Sequence, residues 1–148
     1  MFEGAIAGTK ASAALVSFTA ALRSSSSIFS RSWPLYLIGP VQTISAQVRE
    51  LEKALPSNAM VSTDIGNICS VSNSYLRFDE PRSMFAAMSF GNCGYAFPVI
   101  CGAKIASPGR PAIAYVGDGA WGISLNELLT CAREKIGVTV VVFNNGQW

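Results

Sequence analysis

Hydrophobic and polar positions change rhythm several times along this chain. Ile44, Val48, Leu51 and Leu55 recur at helical spacing, with Arg49, Glu50, Glu52 and Lys53 on the other side. That predicts an amphipathic helix over residues 44–55, stopped by Pro56. Residues 59–63 follow as a short strand leading into Asp64-Ile65-Gly66, and residues 67–76 as a helix. A polar link at 77–82 leads to a glycine-containing turn at 91–94. Residues 95–106 are small and apolar on all sides, as in a buried helix, and Pro108-Gly109 ends it. Residues 111–116 and 138–143 are apolar without alternation and read as buried strands. Between them, residues 121–135 predict one helix whose apolar face is Leu125, Leu128, Leu129 and Ala132. Such strands separated by helices predict an α/β fold, a parallel sheet with helices on both faces.

Residues 1–40 lack this regularity. They carry Lys10, Arg23 and Arg31 against a single acid, Glu3, with serines at 24–27. A transit peptide has that composition. So does a leader of uncertain order, or sequence joined on by a truncated or misread gene. The plainer reading, a leader, places the domain at 41–148.

Composition narrows the function. At 148 residues, with 50% hydrophobic and 14% charged, the chain matches one globular domain. Its 11 basic and 9 acidic residues form no basic cluster, so nucleic acid is not an expected partner. It has no histidine, which excludes a histidine base or metal ligand within the chain. Its four cysteines form no C-x-x-C pair, arguing against zinc or thioredoxin-type chemistry. They read as small buried hydrophobes in a reducing compartment, the cytoplasm. No apolar run reaches the roughly 18 residues of a membrane span, so no membrane partner is expected.

Gly117-Asp118-Gly119-Ala120-Trp121-Gly122 has the form G-x-G-x-x-G between a strand and a helix, which suggests a dinucleotide turn. That turn calls for an acid about 20 positions on, at the end of the next strand. Here that strand ends in Asn144-Asn145. Asp118 also puts a carboxylate where a pyrophosphate would lie, and like charges repel unless a cation stands between them. A metal fits better. A right-handed strand–helix–strand crossover brings both carboxyl ends to one edge, so Asp118 and Asn145 can be neighbours. Mg²⁺ takes a near-octahedral oxygen shell. Asp118, the Asn145 amide oxygen and a backbone carbonyl would fill one side, with phosphate oxygens and water on the other. Free N–H groups opening the 121–135 helix would hold the diphosphate. The plainer roles are an N-cap for Asp118 and a turn for Asn144-Asn145. Glu127 reads as structural, and Trp33, Trp121 and Trp148 as packing residues.

This pattern, GDG then a helix, a hydrophobic strand and NN, resembles the signature of thiamine-diphosphate enzymes. The resemblance implies Asp118, Asn145 and the backbone of Gln147 as Mg²⁺ ligands, with Gly117, Gly119 and Ala120 around the diphosphate. Residues 91–98 resemble the family's G-x-M/I/L-G-x-x-x-P segment. That implies the Gly91 carbonyl and the Cys93 N–H on the aminopyrimidine, and the Cys93 side chain as the prop that bends the cofactor. Cysteine is smaller than the usual residue there, and core filler is the other reading of Cys93. The turn Asp64-Ile65-Gly66-Asn67 resembles one touching the diphosphate, which implicates Asp64, Gly66 and Asn67.

The resemblance covers about residues 45–148 and implies a pyrophosphate-binding domain, truncated on its C-terminal side, with thiamine diphosphate and Mg²⁺ as cofactors. It implies as partner a pyrimidine-binding domain, usually from a neighbouring chain of an oligomer, carrying the glutamate that activates the ring. No catalytic residue is assigned to this chain itself. The overall run is most similar to a branch of the family that passes an acetyl group to phosphate; the synthase and decarboxylase branches share the cofactor motif. Two readings stay open: part of such an enzyme, active with its pyrimidine-domain partner, or a non-catalytic module that binds the diphosphate.

Overall fold

The two apolar runs without alternation lie side by side. Residues 112–117 form β4 (Ala112–Gly117) and residues 139–143 form β5 (Thr139–Phe143), parallel and in register from Ile113↔Thr139 to Gly117↔Phe143. The computed structural model describes residues 35–38 and 44–144. Three further strands complete the sheet: β1 (Leu35–Ile38), β2 (Met60–Thr63) and β3 (Met84–Ala86). The order is β1-β5-β4-β2-β3 and every pairing is parallel.

Alternation along each strand divides the core into two layers. From β4, Ala112, Ala114 and Val116 enter one layer, while Ile113 and Tyr115 enter the other. The first layer is closed by Phe97, Ile100 and Cys101 of α3 (Ala96–Ala106) and by Cys131 of α5 (Glu127–Glu134). Trp121 of α4 (Asp118–Ser124) packs on it, edge-on to Phe97 at 5.0 Å between ring centroids. The second layer is closed by Val48 and Leu51 of α1 (Ile44–Ala54) and Ile68 of α2 (Asn67–Tyr75). Helices therefore cover both faces of a parallel sheet, as the apolar runs predict. Burying a side chain such as Leu51 or Ile100 contributes about 1.5–3 kcal/mol each.

Four expectations need correction. Between the polar link and the 91–94 turn lies β3, a strand of three half-buried residues at the sheet edge, too short and too little buried to leave an apolar signature. The sheet also takes β1 from within residues 1–40, ahead of the boundary drawn at residue 41. The helix expected over 121–135 is two helices. At Leu125 and Asn126 the bonding tightens to i→i+3, Leu128 N–H to Leu125 O at 3.1 Å and Leu129 N–H to Asn126 O at 3.1 Å. The phase shifts there, so Leu125 and Leu129 are 45% and 78% exposed and Ala132 is exposed, leaving Leu128 half-buried and Cys131 pointing inward. Last, α3 is not buried on all sides, since Pro98, Gly102 and Ile105 face outward.

The connections place the site. After β2 the chain passes through α2 on one face to β3; after β4 it passes through α4 and α5 on the opposite face to β5. The winding direction reverses between β2 and β4. In open α/β sheets a ligand crevice forms outside the carboxyl ends of the strands at such a point.

Candidate functional site

Three loops leave the carboxyl ends of β3, β2 and β4, which are adjacent in the sheet. They are the glycine turn at 91–94, the Asp64–Asn67 turn, and Gly117 with the first turn of α4.

Asp64 joins the first two. It follows the last residue of β2 and is 0% exposed. Its Oδ1 accepts hydrogen bonds from the amides of Tyr95 at 2.7 Å and Ala96 at 3.1 Å. Those amides open α3, which has no local side-chain cap. Asp64 therefore supplies a cap from 31 residues away. Burial raises its pKa above the ordinary 3.8, against the lowering effect of the backbone N–H groups of Ala96, Tyr95 and Gly94. Oδ2 is buried without a hydrogen-bond partner. Two more contacts stitch the same segments: Ser62 Oγ donates to Ala96 O at 2.7 Å, and Cys93 Sγ to Ile65 O at 3.8 Å. Expected among the cofactor contacts, Asp64 has its carboxylate turned inward; Gly66 and Asn67, beyond it, are exposed.

Gly94 brings the glycine turn against the last turn of α4, the helix that Asp118 opens. Its φ is +81°, and a β-carbon there would lie 2.6 Å from Ile123 Cγ2 on α4. Only glycine combines that backbone with that approach. By contrast, the space where a β-carbon would stand on Gly66, Gly91 and Gly117 is open for 4 Å. Gly66 and Gly91 also have positive φ, +137° and +76°. Cys93 is exposed on its loop, which rules out the core-filler reading and leaves the side chain accessible to a ligand.

Asp118 opens α4, half-buried, and its Oδ1 accepts the Gly119 N–H at 3.1 Å. The register ends at Gly117↔Phe143, so the next residues along the two strands are Asp118 and Asn144. Asn144 thus follows β5 as Asp118 follows β4, and Asn145, the neighbour expected for Asp118, lies beyond the described residues. Asn145, Gln147, Trp148, Trp33 and most of residues 1–40 lie outside the described residues. Among the described residues, no three His, Cys, Asp or Glu side chains gather around one point. A cation here would be held by one carboxylate with amide and carbonyl oxygens, a hard donor set suited to Mg²⁺. No helix among the described residues is long and apolar enough to cross a membrane.

The capping by Asp64 and the Gly94–Ile123 approach do not announce themselves along the chain. The one local signal for Asp64 is an acid directly after a buried strand with no basic residue nearby. Such a carboxylate has to find N–H donors elsewhere.

Residues 64–148 match the family model described as thiamine pyrophosphate enzyme, C-terminal TPP binding domain. The chain is 69% identical over 101 residues to sulfoacetaldehyde acetyltransferase of Castellaniella defragrans, covering 68% of this chain and 17% of that protein. Against the protein of the same name from Alcaligenes xylosoxydans xylosoxydans it is 71% identical over 101 residues, with the same coverage of 68% and 17%. Acetolactate synthase of Mycobacterium bovis is 43% identical over 72 residues, 49% of this chain and 12% of that one. Among solved structures, the thiamine diphosphate-dependent 4-hydroxybenzoylformate decarboxylase of Rhodococcus jostii RHA1 superposes with a TM-score of 0.68 at 24% identity, over 75% of this chain and 21% of that one. That likeness is one of fold. The chain spans 17% of the length of the two acetyltransferases.

Proposed function

We propose, from the premise that this chain belongs to the thiamine pyrophosphate enzyme family through its C-terminal TPP-binding domain, that residues 41–148 hold the diphosphate of thiamine diphosphate together with Mg²⁺. One observation carries the reading: the turn after β2 is bonded to the turn after β3, which packs on the helix opened after β4, all at the carboxyl edge where the winding reverses between β2 and β4. In this reading Asp118, the Asn145 amide oxygen and the Gln147 carbonyl hold the metal. Gly66, Asn67, Gly117, Gly119 and Ala120 line the diphosphate, and the Gly91 carbonyl and Cys93 meet the aminopyrimidine. Asp64 acts from beneath, fixing the loop that carries Gly91 and Cys93.

Thiamine diphosphate, when bound, supplies a nucleophilic ring carbon that no amino-acid side chain offers. The chain's own part is to bind and orient. The glutamate that activates the ring belongs to a pyrimidine-binding domain of a neighbouring subunit, so the whole protein works as a homo-oligomer.

For the whole protein we propose a sulfoacetaldehyde acetyltransferase in the cytoplasm. Sulfoacetaldehyde and phosphate give acetyl phosphate and sulfite: the carbon–sulfur bond breaks and an acyl–oxygen bond to phosphate forms. The 69% and 71% identities to proteins of that name, against 43% to the acetolactate synthase, support this branch over the synthase branch. Calorimetry on the chain tests the cofactor reading. Thiamine diphosphate is expected to bind only with Mg²⁺, and NADH not at all. Equal affinity with and without Mg²⁺ removes the metal assignment, and saturable NADH binding removes the thiamine reading.

A further inference from the structure

Helix α5 enters the core through one fully buried side chain, Cys131, at 0% exposure. Of its leucines, Leu128 is half-buried against the core and Leu129 is 78% exposed. The helix is separated from α4 by the tight turn at Leu125 and Asn126. Cys131 Sγ lies 3.1 Å from Cys101 Sγ on α3, and Cys101 is 7% exposed. Both are free thiols. They face each other among Phe97, Ile100, Val140 and Val142 in the same core layer. The other two cysteines point elsewhere: Cys93 Sγ to Ile65 O, and Cys69 Sγ to Met88 Sδ.

We propose that Cys101 and Cys131 are a redox modification site, at which a small disulfide oxidant converts the pair to an intrachain disulfide that fastens α5 to α3. The thiolate of Cys101 attacks one sulfur of the oxidant, and the expelled thiolate takes a proton. The thiolate of Cys131 then attacks Cys101 Sγ in the mixed disulfide and expels the second. Two cysteine thiols lose two electrons and two protons, and the oxidant leaves as two thiols. Burial pushes both thiols above their ordinary range, so thiolate is scarce while α5 is seated. Exchange therefore proceeds when α5 lifts, and the bond then holds it down. The consequence reaches both loops of the site, because α3 begins at the 91–94 turn and α5 follows the helix opened by Asp118. The proposal stands independently of the cofactor reading.

The test exposes the unsubstituted chain to oxidised glutathione, blocks remaining thiols by alkylation and maps peptides by mass. The expected product is a peptide pair joining Cys101 to Cys131, lighter by about 2 Da than the two thiol peptides and separated again by reductant. Amide exchange across residues 127–134 is expected to slow in the oxidised form. Cys131→Ser, and separately Cys101→Ala, should abolish both effects. Four thiols still alkylated after prolonged exposure, glutathione retained at Cys93 alone, or a link made through Cys93 or Cys69 would each overturn the proposal. Mapping on the unsubstituted chain decides the matter even where a variant fails to fold.

Discussion

Asp64 Oδ1 stands 2.7 Å from the amide nitrogen of Tyr95, so a residue at the end of β2 fixes where α3 begins. Asp64→Ala removes the acceptor for two amides and is expected to cost about 1–3 kcal/mol. Exchange at Tyr95 and Ala96 should accelerate more than in the sheet. Asp64→Asn keeps an oxygen at the cap and should protect those amides better than alanine does. Equal loss of protection in the two variants would show that the cap is not what orders the loop.

The same carboxyl group sets a pH dependence. Its folded pKa is raised by burial above 3.8, so between 3.8 and the folded value the native state binds more protons than the unfolded state. Stability from this group is then fully present below pH 3.8 and is lost as pH rises through the folded pKa. Denaturant titrations of the unsubstituted chain and Asp64→Asn across that window should show their difference shifting against the unsubstituted chain as pH rises. A difference constant with pH would mean that the amides of Tyr95 and Ala96 cancel desolvation, and one shifting the opposite way that they outweigh it.

Gly94→Ala strains both the backbone and the packing, since φ is +81° and the new β-carbon would lie 2.6 Å from Ile123 Cγ2. A cost of about 1–3 kcal/mol is expected for the backbone alone. Shortening Ile123 to alanine relieves only the steric part. A double-mutant cycle should therefore give a favourable coupling while the double variant stays less stable than the parent. Full recovery would mean that the positive φ carries no strain here.

What the chain discloses in advance depends on whether the cause is local. Residues 112–116 and 139–143 are buried on both faces, so their apolar runs need no partner to be recognised, and the GDG turn between strand and helix is equally local. Other features depend on distant segments. β3 is a strand because Val61 and Thr63 of β2 offer it pairing, and β1 because β5 does, more than a hundred residues later in the chain. The turn at Leu125 and Asn126 is hidden because Leu128, Leu129 and Ala132 keep helical spacing across it. Asp64 illustrates the same limit at the site. Its position after β2 is visible, but its partners lie 31 and 32 residues on.

Asp118→Ala is expected to abolish Mg²⁺-dependent binding of thiamine diphosphate while leaving the fold intact. The carboxylate is half-buried at the start of a short helix, where it accepts the N–H of its neighbour Gly119. Losing that contact costs at most about 1 kcal/mol. In the proposed site, removing the carboxylate from an oxygen shell facing phosphates would leave the metal under-coordinated. Calorimetry with circular dichroism as the folding control separates the two effects. A folded variant that binds cofactor normally would refute the ligand role.

The isolated chain is expected to release no sulfite from sulfoacetaldehyde and phosphate, even with thiamine diphosphate and Mg²⁺ present. Activating the ring needs an acid poised against it, and the acids of the described residues are placed for other work. Asp64 is buried on the amides of α3. Glu50 pairs with Lys53 at 2.7 Å and Glu134 with Arg133 at 2.6 Å, both on exposed helix surface. Asp79 and Glu80 are exposed on the segment entering β3, and so at the amino edge of the sheet, opposite the site. Glu52 lies in the last turns of α1, which deliver the chain to the amino end of β2. Glu127, at the start of α5, is the acid closest in sequence to the site loops after Asp118. Glu127→Gln supplies the control. Supplying a pyrimidine-binding domain with its glutamate should restore turnover, and Glu127→Gln should leave that turnover unchanged. Sulfite release by the chain alone, abolished in Glu127→Gln, would make Glu127 the activating acid and remove the need for a partner.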